Sequence, residues 1–138
     1  MEWKFTDDRP IWQQLSQQIA RQILIGVYPP GSKLPPVREL AAQAGVNPNT
    51  MQKALAELER DGLLKSQRTS GRFVTDDKEK IMEVRTTLAY DEIARMVDTI
   101  SSLGYHREDI PQLLERFLSS QQSAPLSEQK AGEFPGKF

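Results

Sequence analysis

Apolar residues recur at helical spacing in several stretches of this chain, and one short region between them alternates like paired strands. Ile11, Leu15, Ile19 and Ile23 stand four apart with Trp12 and Leu24 beside them. Gln13, Gln14, Gln17, Gln18, Arg21 and Gln22 take the other face. This pattern predicts an amphipathic helix opened by Arg9-Pro10, because proline presets a helical φ in a first turn. Gly26 ends it, and Tyr28-Pro29-Pro30-Gly31 reads as a type II turn. Ahead of the helix, Trp3 and Phe5 alternate as in an extended arm, and Lys33-Leu34 is long enough only for a strand fragment. A second helix is predicted from about Pro36 to Ala44, with Val37, Leu40, Ala41 and Ala44 on one face and Gly45 as its stop. Asn47 as cap and Pro48 as first residue open a third helix whose inward stripe is Met51, Ala54, Leu55 and Leu58. After Gly62, residues 63–67 and 71–74 read as two short strands around a tip of Arg68, Thr69 and Ser70.

A different pattern begins at Thr75-Asp76-Asp77, whose acids suit the positive end of a helix dipole. A long helix is predicted from there to about Leu103, carrying Ile81, Val84, Leu88, Ile93, Met96, Val97, Ile100 and Leu103. Leu88 to Ile93 is a five-residue step, so the apolar face rotates or the helix bends there. Gly104-Tyr105 turns the chain into a last helix with Ile110, Leu113, Leu114, Phe117 and Leu118. Residues 119–138 are rich in Ser, Gln, Pro and Gly and lack periodicity, so they are expected to be a flexible tail.

Composition narrows the chemistry. The 138 residues contain no cysteine and one histidine, His106, which leaves no disulfide, thiolate metal site or Ser–His arrangement to build. No metal, cofactor or catalytic constellation is expected. No apolar run nears the roughly 20 residues of a membrane span, and the acidic, aromatic start MEWKFTDD is not a signal peptide. A soluble cytoplasmic protein is the expectation. The net charge of −1 is unevenly distributed: residues 1–75 carry ten Lys/Arg against seven Asp/Glu, and residues 76–138 carry eight against twelve. A basic half joined to an acidic half suits a nucleic-acid module tied to a part that avoids nucleic acid.

The blocks Pro29-Pro30-Gly31, Lys33-Leu34-Pro35, Val37-Arg38-Glu39-Leu40-Ala41, Gly45-Val46-Asn47-Pro48-Asn49-Thr50 and Leu58-Glu59-Arg60-Asp61-Gly62-Leu63 stand in a fixed order. Together, over about residues 10–74, they resemble the winged helix-turn-helix domain of the GntR family of bacterial transcription regulators. The Asn-Pro-Asn-Thr form and the short two-helix remainder are similar to its YtrA-type subgroup. The resemblance implies a mainly α fold, with three helices and a small β-hairpin wing followed by a short two-helix dimerisation region. It divides the chain into a DNA-binding domain (1–75), a helical dimerisation region (76–118) and a tail (119–138). It also implies a dimeric repressor on an inverted-repeat operator, often one controlling an ABC-transporter operon.

Within that frame, a recognition helix presents its first turns to base edges in the major groove. Asn47, Asn49, Thr50, Gln52 and Lys53 occupy that end of the third helix. Asn and Gln suit adenine, Thr a base or a thymine methyl, and Lys53 a phosphate. The resemblance adds Arg38 in the second helix, and Arg68, Ser70 and Arg72 in the wing, as contacts to phosphates or the minor groove. The plain alternative for each is a solvated surface. Pro36 stands where the family pattern has serine, Thr69 replaces a wing glycine, and arginines usual near Pro48 and Gln52 are absent. These departures predict few ionic contacts and a shallow salt dependence. They also keep open a rival of another class, a winged-helix protein-interaction module without specific DNA readout. Two helices joined by a short turn cannot cover the apolar content of residues 81–118, which predicts a homodimer through Leu88, Ile93, Met96, Val97, Ile100, Leu103, Leu113, Leu114 and Phe117. That region is too small for the enclosed metabolite pocket of larger relatives, leaving a cleft between protomers as the place for a small-molecule effector.

Overall fold

Leu15, Ile19 and Ile23 are buried along one side of the first helix, and the other elements of the first unit gather on that stripe. The structure, a computed structural model, describes residues 2–121. Its elements are α1 (Ile11–Leu24), α2 (Val37–Ala44), α3 (Pro48–Arg60), β1 (Leu64–Gln67), β2 (Gly71–Val74), α4 (Lys78–Ser102) and α5 (Ile110–Ser120), with a single 3-10 turn at Arg107–Asp109. All the expected helices form. The last one runs through Ser120, two residues into the segment expected to be tail, and the rest of that segment lies outside the described residues.

The chain divides after Leu88 into two compact units. In the first, α3 packs on α1 and α2, burying Met51, Ala54, Leu55 and Leu58 against Leu40 and Ala41. Gly45 closes α2 at φ 70°, a left-handed conformation that side-chain-bearing residues rarely take. Asn47 then opens α3, its Oδ1 accepting the Asn49 N–H at 2.7 Å. Pro36, by contrast, gives α2 no side-chain cap. In the turn before α2, the Ser32 N–H donates to Pro29 O at 3.1 Å, with Gly31 at φ 79° in the position a type II turn requires.

β1 and β2 pair antiparallel from Leu64↔Val74 to Gln67↔Gly71. The expected strand fragment at Lys33-Leu34 joins them: Lys33 bridges Phe73, and the Leu34 N–H donates to Arg72 O at 2.9 Å. Leu63, Leu64 and Val74 anchor the hairpin in the core, while its tip, Arg68 to Ser70, is exposed.

α1 differs from expectation at three positions. Ile11 is 37 % exposed, whereas Gln14 and Gln22 are each 3 % exposed. Period alone put these glutamines outside, but the amino-terminal arm covers part of that face. Trp3 and Phe5 pack against the core, and the Gln14 amide bonds Thr6 and Arg9 of the arm.

Asp77 caps α4, its Oδ1 accepting from Glu79 N at 3.1 Å and Lys80 N at 3.3 Å. The five-residue step from Leu88 to Ile93 coincides with the boundary between the units. Val84 and Leu88 pack against the first unit's core, so Leu88, expected to face a partner chain, is engaged within its own unit. In the second unit Ile110 is the one buried apolar side chain among the described residues. Met96, Ile100, Leu113, Leu114 and Phe117 line an apolar groove of 260 Å³ there. Ile93, Leu103 and Leu118 stay exposed. The 3-10 turn before α5 was not anticipated; its signal was His106 three residues ahead of Asp109, whose Oδ2 accepts the His106 N–H at 2.9 Å.

Candidate nucleic-acid interface

The first turns of α3 present Asn49, Gln52 and Lys53 as exposed side chains, with Thr50 half-buried among them. They face outward because Met51, Ala54 and Leu55, at the alternate helical positions, are locked in the core. The surface is polar but carries one cation. That cation is partly held: Lys53 Nζ lies 4.6 Å from the centroid of the Trp12 ring on α1. Such a cation–π contact fixes where the ammonium sits. Asn47 already uses its side-chain oxygen as the helix cap, leaving its amide nitrogen as the group for an outside acceptor.

Arg38 is exposed in the first turn of α2. At the wing, Arg68 and Ser70 are exposed at the tip, but Arg72 is placed differently. Its Nε donates to Glu59 Oε1 near the end of α3, and the Ser66 hydroxyl donates to the same oxygen at 2.8 Å. Burial pushes the Glu59 carboxyl up. The hydrogen bonds from Arg72 and Ser66, with the Arg72 charge, outweigh that effect and hold it below the usual carboxylate value. The clasp ties β1 and β2 to the end of α3. Glu59 and Trp12 were therefore missed by sequence reasoning. Both partners are far along the chain from the residues they hold, with Glu59 and Arg72 13 positions apart, so no local spacing could reveal them.

Among the described residues no cluster of His, Asp or Glu has the arrangement to hold a metal, and no helix is long and apolar enough to cross a membrane. The exposed groups at α3, α2 and the wing tip are hydrogen-bonding amides, hydroxyls and cations. Groups of these types suit acceptor-rich, anionic surfaces.

Comparison with known proteins identifies the family. The family model described as bacterial regulatory proteins, gntR family, matches residues 12–74. The chain is 34 % identical over 102 residues to the HTH-type transcriptional repressor YtrA of Bacillus subtilis, covering 73 % of this chain and 78 % of that protein. A solved GntR family transcriptional regulator from Listeria monocytogenes superposes with a TM-score of 0.72 at 35 % identity, covering 81 % of this chain and 98 % of that one. The chain belongs to the GntR family. It is a DNA-binding transcription regulator with YtrA among its relatives, and those relatives are regulators rather than enzymes. The DNA-binding domain of AraR, solved in complex with operator ORX1, matches at TM-score 0.50 and 32 % identity, covering 54 % of this GntR chain and 96 % of that one. The helices, their turn and the hairpin described above are thus the winged helix-turn-helix of this family.

Proposed function

We propose that this GntR-family protein is a repressor that binds an inverted-repeat operator as a homodimer. The observation that carries the DNA half is the exposed polar start of α3, Asn49, Gln52 and Lys53, on a fold shared with an operator-bound relative. Asn49 and Gln52 read base edges, and Thr50 contributes its hydroxyl or methyl. Arg38, Lys53, Arg68 and Ser70 bond phosphates or the minor groove. Arg72 acts mainly through the clasp with Glu59, which sets the wing. YtrA of Bacillus subtilis is named a repressor, and the subgroup this chain resembles often acts on ABC-transporter operons. The target proposed here is such an operon.

Support for the dimer comes from the second unit. With Ile110 alone buried among its described apolar residues, its apolar surface at Ile93, Met96, Val97, Ile100, Leu103, Leu113, Leu114 and Phe117 is too large for a lone helical pair to leave in water. A twofold partner covering it would carry two recognition helices about 34 Å apart or a multiple of that. A cleft between protomers is the site proposed for a small-molecule effector.

Two measurements test the reading. Sedimentation of the purified protein at micromolar concentration should give a dimer; a monomer well above that range overturns the assembly. A gel shift with the protein's own upstream DNA at low salt should show a complex lost on scrambling an inverted repeat. Equal binding to scrambled DNA, or none, removes the specific operator and favours a protein-interaction role.

A further inference from the structure

The amino-terminal arm is laid along α1 by a repeating device. Gln18 accepts the Lys4 N–H at 3.2 Å and donates to Lys4 O at 2.7 Å. Gln14 does the same with Thr6, at 2.8 and 2.9 Å. Each glutamine amide replaces the peptide group of a neighbouring strand. The repeat works because four helical residues rise about 6 Å and two extended residues about 6.6 Å. Glutamines at every fourth position therefore meet every second residue of an arm running the other way.

The next rung would set Gln22 against Glu2, and it is not made. Gln22 is 3 % exposed and its Nε2 meets no acceptor. An unpaired buried amide donor is costly and calls for a partner. Gln22 lines an open cavity of 360 Å³ together with Lys4, Arg9 and Arg21, three cations against one acid, Glu2. Arg9 donates from Nη1 to Gln17 Oε1 at 2.9 Å, but its Nε makes no hydrogen bond and only a 4.0 Å contact with Asp8. At the lip, Ile25 and Val27 are 77 % and 54 % exposed.

The two donors without an acceptor, Gln22 Nε2 and Arg9 Nε, belong to side chains that line this cavity, so its occupant brings acceptors. Gln17, which holds Arg9, and Gln22 are five residues apart on α1, about 8 Å along the axis. The surplus of cations selects negative charge, and the apolar lip suits methylenes between the charges. We propose that this groove binds a small dicarboxylate of about five or six carbons. One carboxylate takes the Gln22 amide and Arg21, and the other takes Arg9, with Lys4 between them. The site lies wholly in the first unit and does not depend on the dimer or the operator proposed above.

Calorimetric titration of the full-length protein with glutarate and adipate tests this, with butyrate and inorganic phosphate as comparators. One diacid should bind per chain, with butyrate and phosphate at least about tenfold weaker. Gln22→Leu should weaken the diacid about tenfold or more while raising the thermal midpoint of the unliganded protein, since the unpaired donor is gone. Arg21→Gln, a change at an exposed position that leaves the fold intact, should weaken it similarly. The proposal is overturned by the absence of saturable binding of either diacid. It is equally overturned by an unchanged Kd in either variant, or by butyrate or phosphate binding as tightly.

Discussion

Asn49 and Gln52 carry no charge, so replacing either with alanine removes hydrogen bonds without removing ionic attraction. Each change is expected to relax sequence choice by about 1–3 kcal/mol at one base pair, measured as the ratio of affinities for the operator and a single-base variant. An equal loss on every sequence would mean that the residue positions α3 and reads nothing. Trp12→Leu should keep the core while freeing Lys53, weakening all DNA sequences alike by about 0.5–1 kcal/mol. The identities of the outward residues of α3 were legible in the sequence, because the inward stripe Met51, Ala54, Leu55 and Leu58 fixes the opposite face. Whether an outward side chain is held was not legible. Trp12 approaches Lys53 only once α1 and α3 pack together.

At the level of elements, the clasp between the wing and α3 makes a pH-dependent joint. The Glu59 carboxyl is held below its ordinary value in the folded protein. Its contribution is therefore complete at neutral pH, above the unfolded value, and is lost as the pH falls through the folded one. Acid titration of the thermal midpoint should show a decline below the ordinary carboxylate range that Glu59→Gln reduces. An identical profile for the variant would show that the clasp adds nothing to stability. Asp61, the cap residue at the end of α3, has the opposite sign. Burial and the neighbouring Glu57 charge raise its carboxyl above the usual value, and the negative end of the helix adds to the strain. Asp61→Asn should therefore raise the thermal midpoint at neutral pH and leave it little changed in acid. At the start of α3, Asn47→Ala should cost about 1 kcal/mol of stability. The caps at Asn47 and Asp77, the stop at Gly45 and the two strands with their tip could all be read from the sequence, since each is set within a few residues. The burial of Gln14 could not, because its partners Thr6 and Arg9 sit on an arm whose path depends on where Trp3 and Phe5 pack.

For the whole molecule, the sparse charge of the reading surface has a measurable consequence. Of the basic residues expected at DNA, Arg72 is tied to Glu59, leaving Arg38, Lys53 and Arg68. Two protomers with three such cations each predict a log–log salt slope of about −5. A slope near twice that would require phosphate contacts that this surface does not supply. Ile100→Asp, in the apolar groove of the second unit, should shift the protein to monomer at micromolar concentration and weaken operator binding while leaving the first unit folded. A variant that still sediments as a dimer would place the interface elsewhere.

By itself the sequence determined the fold class, the order and ends of nearly every element, and the side of α3 that faces outward. These follow from apolar period, capping residues and turn glycines, which act over four or five residues. The family blocks were equally legible, because they are runs of neighbouring residues. Only the tertiary structure decided which polar side chains are already engaged. Arg72 is held by Glu59, Lys53 has an aromatic seat, Leu88 packs against its own unit's core, and Gln22 is a buried donor without an acceptor. Each of these depends on atoms brought close by packing between elements distant in sequence. A hydrogen bond or a cation–π contact needs a partner within a few ångströms, and periodicity carries no information about that distance.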